Sequence, residues 1–146
     1  MDGAKWPFSA WQACGPGKEV HRKPDMILVV EDKEGVRLII KAVLERSGYR
    51  TLMANNGDDA VAVWNAHKSE IALLFTDVVM PGGVTGKDLA DKLREERPSL
   101  KVVFCSGFGA DVIGAEIVSA PGNYFLAKPF DIERLKQVVG QALQGA

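Results

Sequence analysis

Ile71-Ala72-Leu73-Leu74-Phe75-Thr76-Asp77-Val78-Val79-Met80-Pro81 is the stretch whose reading decides the fold. Residues 71 to 75 form an apolar run of strand length, which stops at one carboxylate before a Met-Pro-Gly-Gly turn. A run without polar alternation suits a strand covered on both faces. In an open α/β sheet, ligands bind beyond the carboxyl ends of the strands, so Asp77 stands where chemistry is done. An acid in that position also serves as a turn former or helix N-cap. The weight given to Asp77 therefore depends on what the other strands bring to its side.

Working outward, the same pattern recurs. Met26 to Val30 is a continuous apolar run that ends in Glu31-Asp32. Glu34 to Ser47 follows as a helix with Val36, Ile39, Ile40, Val43 and Leu44 at helical spacing against a sheet, closed by Gly48. Tyr49 to Ala54 reads as a weaker strand, Asn55-Asn56-Gly57 as a turn, and Asp58 to His67 as a helix packing Ala60, Val61, Val63 and Trp64. Beyond the opening stretch, Gly86 to Arg97 is a helix using Leu89, Ala90 and Leu93, stopped by Pro98. Lys101 to Cys105 is a fourth strand ending in Ser106-Gly107. A weak helical tendency covers 110–120. Asn123 to Ala127 is a fifth strand ending in Lys128-Pro129, and a last helix runs to about Gln144 with Ile132, Leu135, Val138, Val139 and Ala142 inward.

Strands alternating with helices imply βαβ units and a parallel sheet with right-handed crossovers. The expected fold is α/β, a flavodoxin-like doubly wound five-stranded sheet in the order 2-1-3-4-5, whose switch point falls between strands 1 and 3. Glu31, Asp32 and Asp77 would then share one crevice.

The bulk properties are those of one soluble domain: 146 residues, 47% hydrophobic and 25% charged, with a formal net charge of -1. That balance gives no case for nucleic-acid or membrane binding. Two cysteines, Cys14 and Cys105, make no disulfide framework, and Cys105 reads as a buried thiol. With no membrane-length apolar stretch and no signal-peptide h-region, a cytoplasmic setting is expected. Residues 1–24 carry Trp6, Phe8 and Trp11 among Gly, Pro and polar residues without sustained periodicity, and read as a linker or tail ahead of a domain over 25–146.

Three carboxylates in one pocket repel one another, so either their pKa values rise or a cation neutralises them. An all-oxygen donor set favours Mg²⁺ and argues against zinc. Ser106 offers a hydroxyl, Gly107 leaves room for a bulky anion, and Lys128 offers a point positive charge. Together they describe a carboxylate nucleophile equipped for phosphoryl transfer, with Asp77 attacking in line while Mg²⁺ and Lys128 neutralise the equatorial oxygens.

Glu31-Asp32, Asp77 with Met80-Pro81, Ser106-Gly107 and Lys128-Pro129 give residues 26 to 144 a resemblance to the receiver domain of two-component response regulators. The Pro-Gly-Gly turn and Ser-Gly-Phe resemble the C-terminal receivers of hybrid sensor histidine kinases in particular. The resemblance implies that Asp77 takes a phosphoryl group from a histidine kinase or histidine phosphotransfer domain. Asp32, Asp77 and the Val79 carbonyl would bind Mg²⁺ directly, and Glu31 directly or through water. Ser106, Gly107 and Lys128 would hold the phosphoryl group, Ser106 and Phe125 would form a switch, and Lys128-Pro129 would be a cis peptide. Such a receiver promotes its own phosphorylation and dephosphorylation without being a turnover enzyme, although a longer parent could be a hybrid histidine kinase. The last two βα units would offer a homodimer or partner face.

Departures from the family pattern are visible. The turn after Pro81 is one residue longer than usual before its glycine, Phe125 replaces a tyrosine at the switch, and Val79 and Phe108 flank the pocket with apolar surface. Two apolar neighbours should hinder an attacking water and prolong the aspartyl phosphate. Two other classes remain open. A haloacid-dehalogenase-type phosphatase needs an acid where Val79 stands. A pseudo-receiver acting only as a binding module usually lacks an acidic or lysine member that this chain keeps.

Overall fold

The computed structural model describes residues 24–80, 84–107 and 120–144. Five strands, β1 (Met26–Val30), β2 (Arg50–Ala54), β3 (Ile71–Asp77), β4 (Lys101–Ser106) and β5 (Asn123–Ala127), pair in parallel in the order β2-β1-β3-β4-β5. The described helices are α1 (Glu34–Arg46), α2 (Gly57–His67), α3 (Gly86–Glu96) and α4 (Ile132–Gln144). The expected tail over 1–24 up to residue 23, the turn residues 81–83, Phe108 and most of the helix expected over 110–120 lie outside the described residues.

Strand alternation divides the core. Ile27, Val29, Leu73, Phe75, Val103 and Leu126 point to the α1 and α4 side, where Ile40, Val43, Leu44, Leu135, Val138, Val139 and Ala142 close over them. Leu28, Val30, Leu74, Val102 and Phe104 point the other way, onto Ala60 and Trp64 of α2 and Leu89, Ala90 and Leu93 of α3. β1 is buried along its whole length, as its unbroken apolar run requires. At the end of the sheet away from the strand exits, Trp64 donates its Nε1–H to Glu96 at 2.8 Å, and the Arg97 guanidinium lies 4.9 Å from the indole centroid while donating to the carbonyls of Ile71 and Lys68. Those contacts tie α2, α3 and β3 into one rigid frame.

Two helix positions depart from expectation. Ile39 is 57% exposed instead of facing the sheet: it lies about 100° round α1 from buried Ile40, on the flank of the stripe set by Ile40, Val43 and Leu44. Ile132 is 54% exposed rather than inward, because it opens α4 and no earlier turn covers it. Tyr124 and Phe125 point to opposite faces, toward the α1/α4 core and the α2/α3 core respectively.

Candidate functional site

Sheet register assembles the site. Val30 is level with Thr76, Asp77 with Cys105, and Ser106 with Ala127, so Glu31 emerges beside Asp77, and Lys128 emerges at the same edge of the sheet, beyond the level of Cys105. The ladder continues past the strands: Glu31 N–H donates to Ala54 O at 3.1 Å, Val78 N–H to Cys105 O at 3.1 Å, and Lys128 N–H to Ser106 O at 2.8 Å. Those bonds fix the backbone on which Glu31, Asp77 and Lys128 are carried. Alternation then turns all three side chains to the same face.

The Lys128 ammonium lies 2.7 Å from Asp77 Oδ1 and donates to Glu31 Oε1 at 3.2 Å. Glu31 is 1% exposed and its other oxygen, Oε2, accepts the Lys33 backbone N–H at 3.1 Å. Arg37 reaches back to donate to the Glu31 carbonyl at 2.9 Å. Glu31 is thus held at both carboxylate oxygens and at its main chain. Asp32, by contrast, is exposed at the rim.

Burial pushes the Asp77 carboxyl up to about 7; the adjacent Lys128 ammonium pulls it down, and neighbouring Glu31 adds to the rise. Burial works against the charge of Lys128, but the adjacent Asp77, with Cys105 and Glu31, outweighs it and holds the ammonium above its usual range. Burial likewise raises the Cys105 thiol to about 12, so it stays protonated and offers no soft thiolate ligand.

Oxygens of Glu31, Asp32 and Asp77 lie within 4.8 Å of one another. The Asp77 Oδ1 atom is buried, and its contact with Lys128 is an ion pair whose angles fall short of a directed hydrogen bond. A hard cation fits this donor set: it would complete Oδ1 and offset the burial and the Glu31 charge that raise Asp77. Asp32, Asp77, Val79, Cys105, Ser106, Gly107 and Lys128 line one cleft with Lys33 and Met80, so the residues anticipated from the strand ends meet there. Glu31 sits behind that lining. Phe125 is set apart from the carboxylates and stacks on Phe104, with ring centroids 5.6 Å apart. The Lys128–Pro129 peptide bond is cis.

Several contributors escaped the sequence reading. Arg37 and the Lys33 N–H orient Glu31, and neither carries a motif that announces it. Thr85 caps α3 in a capping box with Asp88, through bonds of 3.0 and 3.2 Å; the Thr-x-x-Asp spacing was the available signal. Gly86 packs so closely that a Cβ there would stand 2.1 Å from the Asp77 carbonyl oxygen, and its N–H donates to Val78 O at 2.8 Å.

Residues 27–140 match the family model described as response regulator receiver domain. Sensor kinase CckA of Brucella abortus (strain 2308) is 30% identical over 132 residues, which cover 87% of this chain and 14% of that protein. The chain thus spans only a small part of the sensor kinases it matches. Response regulator receiver protein CpdR of the same organism is 32% identical over 120 residues, 82% of this chain and 98% of that one. Among solved structures, the receiver domain from hybrid histidine kinase CckA superposes with a TM-score of 0.69 at 35% identity, covering 82% of this chain and 99% of that one.

Proposed function

The chain belongs to the response regulator receiver domain family of two-component signalling, and on that footing we propose that Asp77 is the phosphoacceptor of a phosphorelay. The observation that carries the reading is the Asp77 carboxylate itself. It is buried, one oxygen lacks a directed hydrogen bond, and Lys128 and two further acids stand beside it.

In the proposed step a carboxylate oxygen of Asp77 attacks the phosphorus of a phosphohistidine on a kinase or phosphotransfer domain. A P–O bond forms, the P–N bond breaks, and its electron pair returns to the imidazole, which is left to take up a proton. Mg²⁺, when bound by Asp32, Asp77 and the Val79 carbonyl, supplies positive charge to the equatorial oxygens. Glu31, whose oxygens accept the Lys33 N–H and the Lys128 ammonium, would act on that ion directly or through water. Lys128 pairs with the transferred group, and Ser106 and the Gly107 backbone receive it. Attack by Asp77 needs its charged form, which the Lys128 ammonium favours.

Ser106 then reads the event. It lies two residues beyond Phe104 on the same strand face, and Phe125 stacks on Phe104, so a hydroxyl drawn toward a phosphoryl group shifts the aromatic pair beneath it. The partner face would be that of the last two βα units, meeting a second copy or another protein. This reading takes residues 25–146 as one receiver unit in the cytoplasm, with 1–24 as linker or tail.

Phosphoramidate presents the same P–N bond as phosphohistidine. Incubated with it and Mg²⁺, the protein should acquire one alkali- and hydroxylamine-labile phosphoryl group per chain. Absence of labelling would favour a binding module, and continuous release of phosphate with no labelled protein would favour a phosphatase.

A further inference from the structure

Two helices begin against the loop that leaves the phosphoacceptor strand, and each begins with a glycine. Gly57 is the first residue of α2 and Gly86 the first of α3. Neither has a positive φ, so conformational freedom does not explain them. Space does. A Cβ on Gly86 would meet the Asp77 carbonyl oxygen at 2.1 Å, and one on Gly57 would meet Val84 Cγ1 at 2.6 Å and Cβ at 2.9 Å. Valine is stiff at χ1, so a clash there is passed to the backbone that carries it rather than absorbed by the side chain.

Val84 is well placed to transmit such a shift. It precedes the Thr85 cap and lines one small cleft with Gly57 and Leu89; Val84 and Leu89 hold the N′ and N4 positions of a hydrophobic staple on α3. Thr85 is bound into the capping box, and Gly86 donates to Val78 O. The chain from Val84 to Val78 is therefore mechanically continuous through Gly86, and Val79 follows on the cleft wall.

We propose that the Gly57–Val84 contact is a positioning device for the Asp77 site, holding the β3–α3 loop from the α2 side while Gly86 holds it from the α3 side. The inference rests on the reading that Asp77 and the Val79 carbonyl take Mg²⁺. Gly57 and Val84 touch neither ion nor phosphoryl group; they act through the loop.

The test compares wild type, Gly57→Ala, Val84→Ala and the double variant by Mg²⁺ calorimetry, by the rate of labelling from acetyl phosphate, and by urea midpoint. Alanine is a better helix former than glycine, so propensity alone would leave Gly57→Ala unharmed. Gly57→Ala is expected to weaken Mg²⁺ binding roughly tenfold, in the range seen when outer partners of a metal ligand are removed. Val84→Ala should weaken it several-fold. The double variant loses the 2.6 Å contact to Cγ1 but keeps the 2.9 Å contact to Cβ, so it should recover only part of the Gly57→Ala loss. An altered urea midpoint with unchanged Mg²⁺ affinity in Gly57→Ala would overturn the proposal, as would a double variant whose losses simply multiply. Should Gly57→Ala not fold, wild-type Mg²⁺ affinity in Val84→Ala overturns it. If wild type itself neither binds Mg²⁺ nor labels, the phosphoacceptor reading fails first and this inference falls with it.

Discussion

Nζ of Lys128 lies 2.7 Å from Oδ1 of Asp77, so the lysine already occupies part of the space in which a cation would meet that oxygen. The two positive charges share one carboxylate. Replacing Lys128 with Met should therefore tighten Mg²⁺ several-fold, because the acids lose their internal counter-charge. The same change should slow labelling of Asp77 by about a hundredfold, since a fixed charge aimed at the phosphoryl oxygens is lost. Calorimetry and labelling kinetics on one preparation separate the effects.

Asp77 sets a pH dependence of defined sign. Its ordinary value is 3.8, and burial raises it to about 7 in the metal-free fold. Across that window the folded protein keeps a proton that the unfolded chain has released, so this group's contribution to stability falls as pH rises and levels off above it. Lys128 is held charged throughout and adds no slope there. Asp77→Asn should accordingly gain on wild type by on the order of 1–3 kcal/mol between about pH 5 and about pH 8. Urea titrations at several pH values check this, and Mg²⁺ should close the gap at the alkaline end.

Gly86→Ala should destabilise by about 1–3 kcal/mol, the usual cost of overpacking, and should slow phosphorylation because the displaced atom belongs to Asp77 itself. Gly140→Ala is the matched control. Nothing lies within 4 Å of a Cβ there, so in mid-helix it should stabilise by about 0.5–1 kcal/mol. Urea midpoints of the two variants should move in opposite directions.

Val79 is 63% exposed and lines the cleft, leaving apolar surface where a polar side chain could orient an attacking water. The aspartyl phosphate of the wild type should be comparatively long-lived, and Val79→Asn should shorten its lifetime several-fold. Loss of labelled protein after removal of the donor measures both. A wild-type half-life of seconds with Mg²⁺ present would contradict the expectation.

The strand ends were legible because each apolar run stops at a polar residue, and parallel register does the rest: reading Val30, Asp77, Ser106 and Ala127 in order suffices to bring Glu31, Asp77 and Lys128 together. Ile39 and Ile132 were misjudged for a geometric reason, since periodicity marks a stripe without marking its edges or how far the covering sheet extends. The tightness at Gly57 and Gly86 was invisible, because a missing side chain looks the same in a sequence whether its place is filled or open. Arg37 carries no motif in the sequence, and only its reach to the Glu31 carbonyl shows its part in the site.

The most direct measurement is intact-mass and peptide mapping after incubation of wild type and Asp77→Ala with acetyl phosphate, with Mg²⁺ or with excess chelator. One phosphoryl group per chain, mapped to Asp77, dependent on Mg²⁺ and absent from the variant, is the predicted result. Labelling of Asp77→Ala at the wild-type level would contradict it.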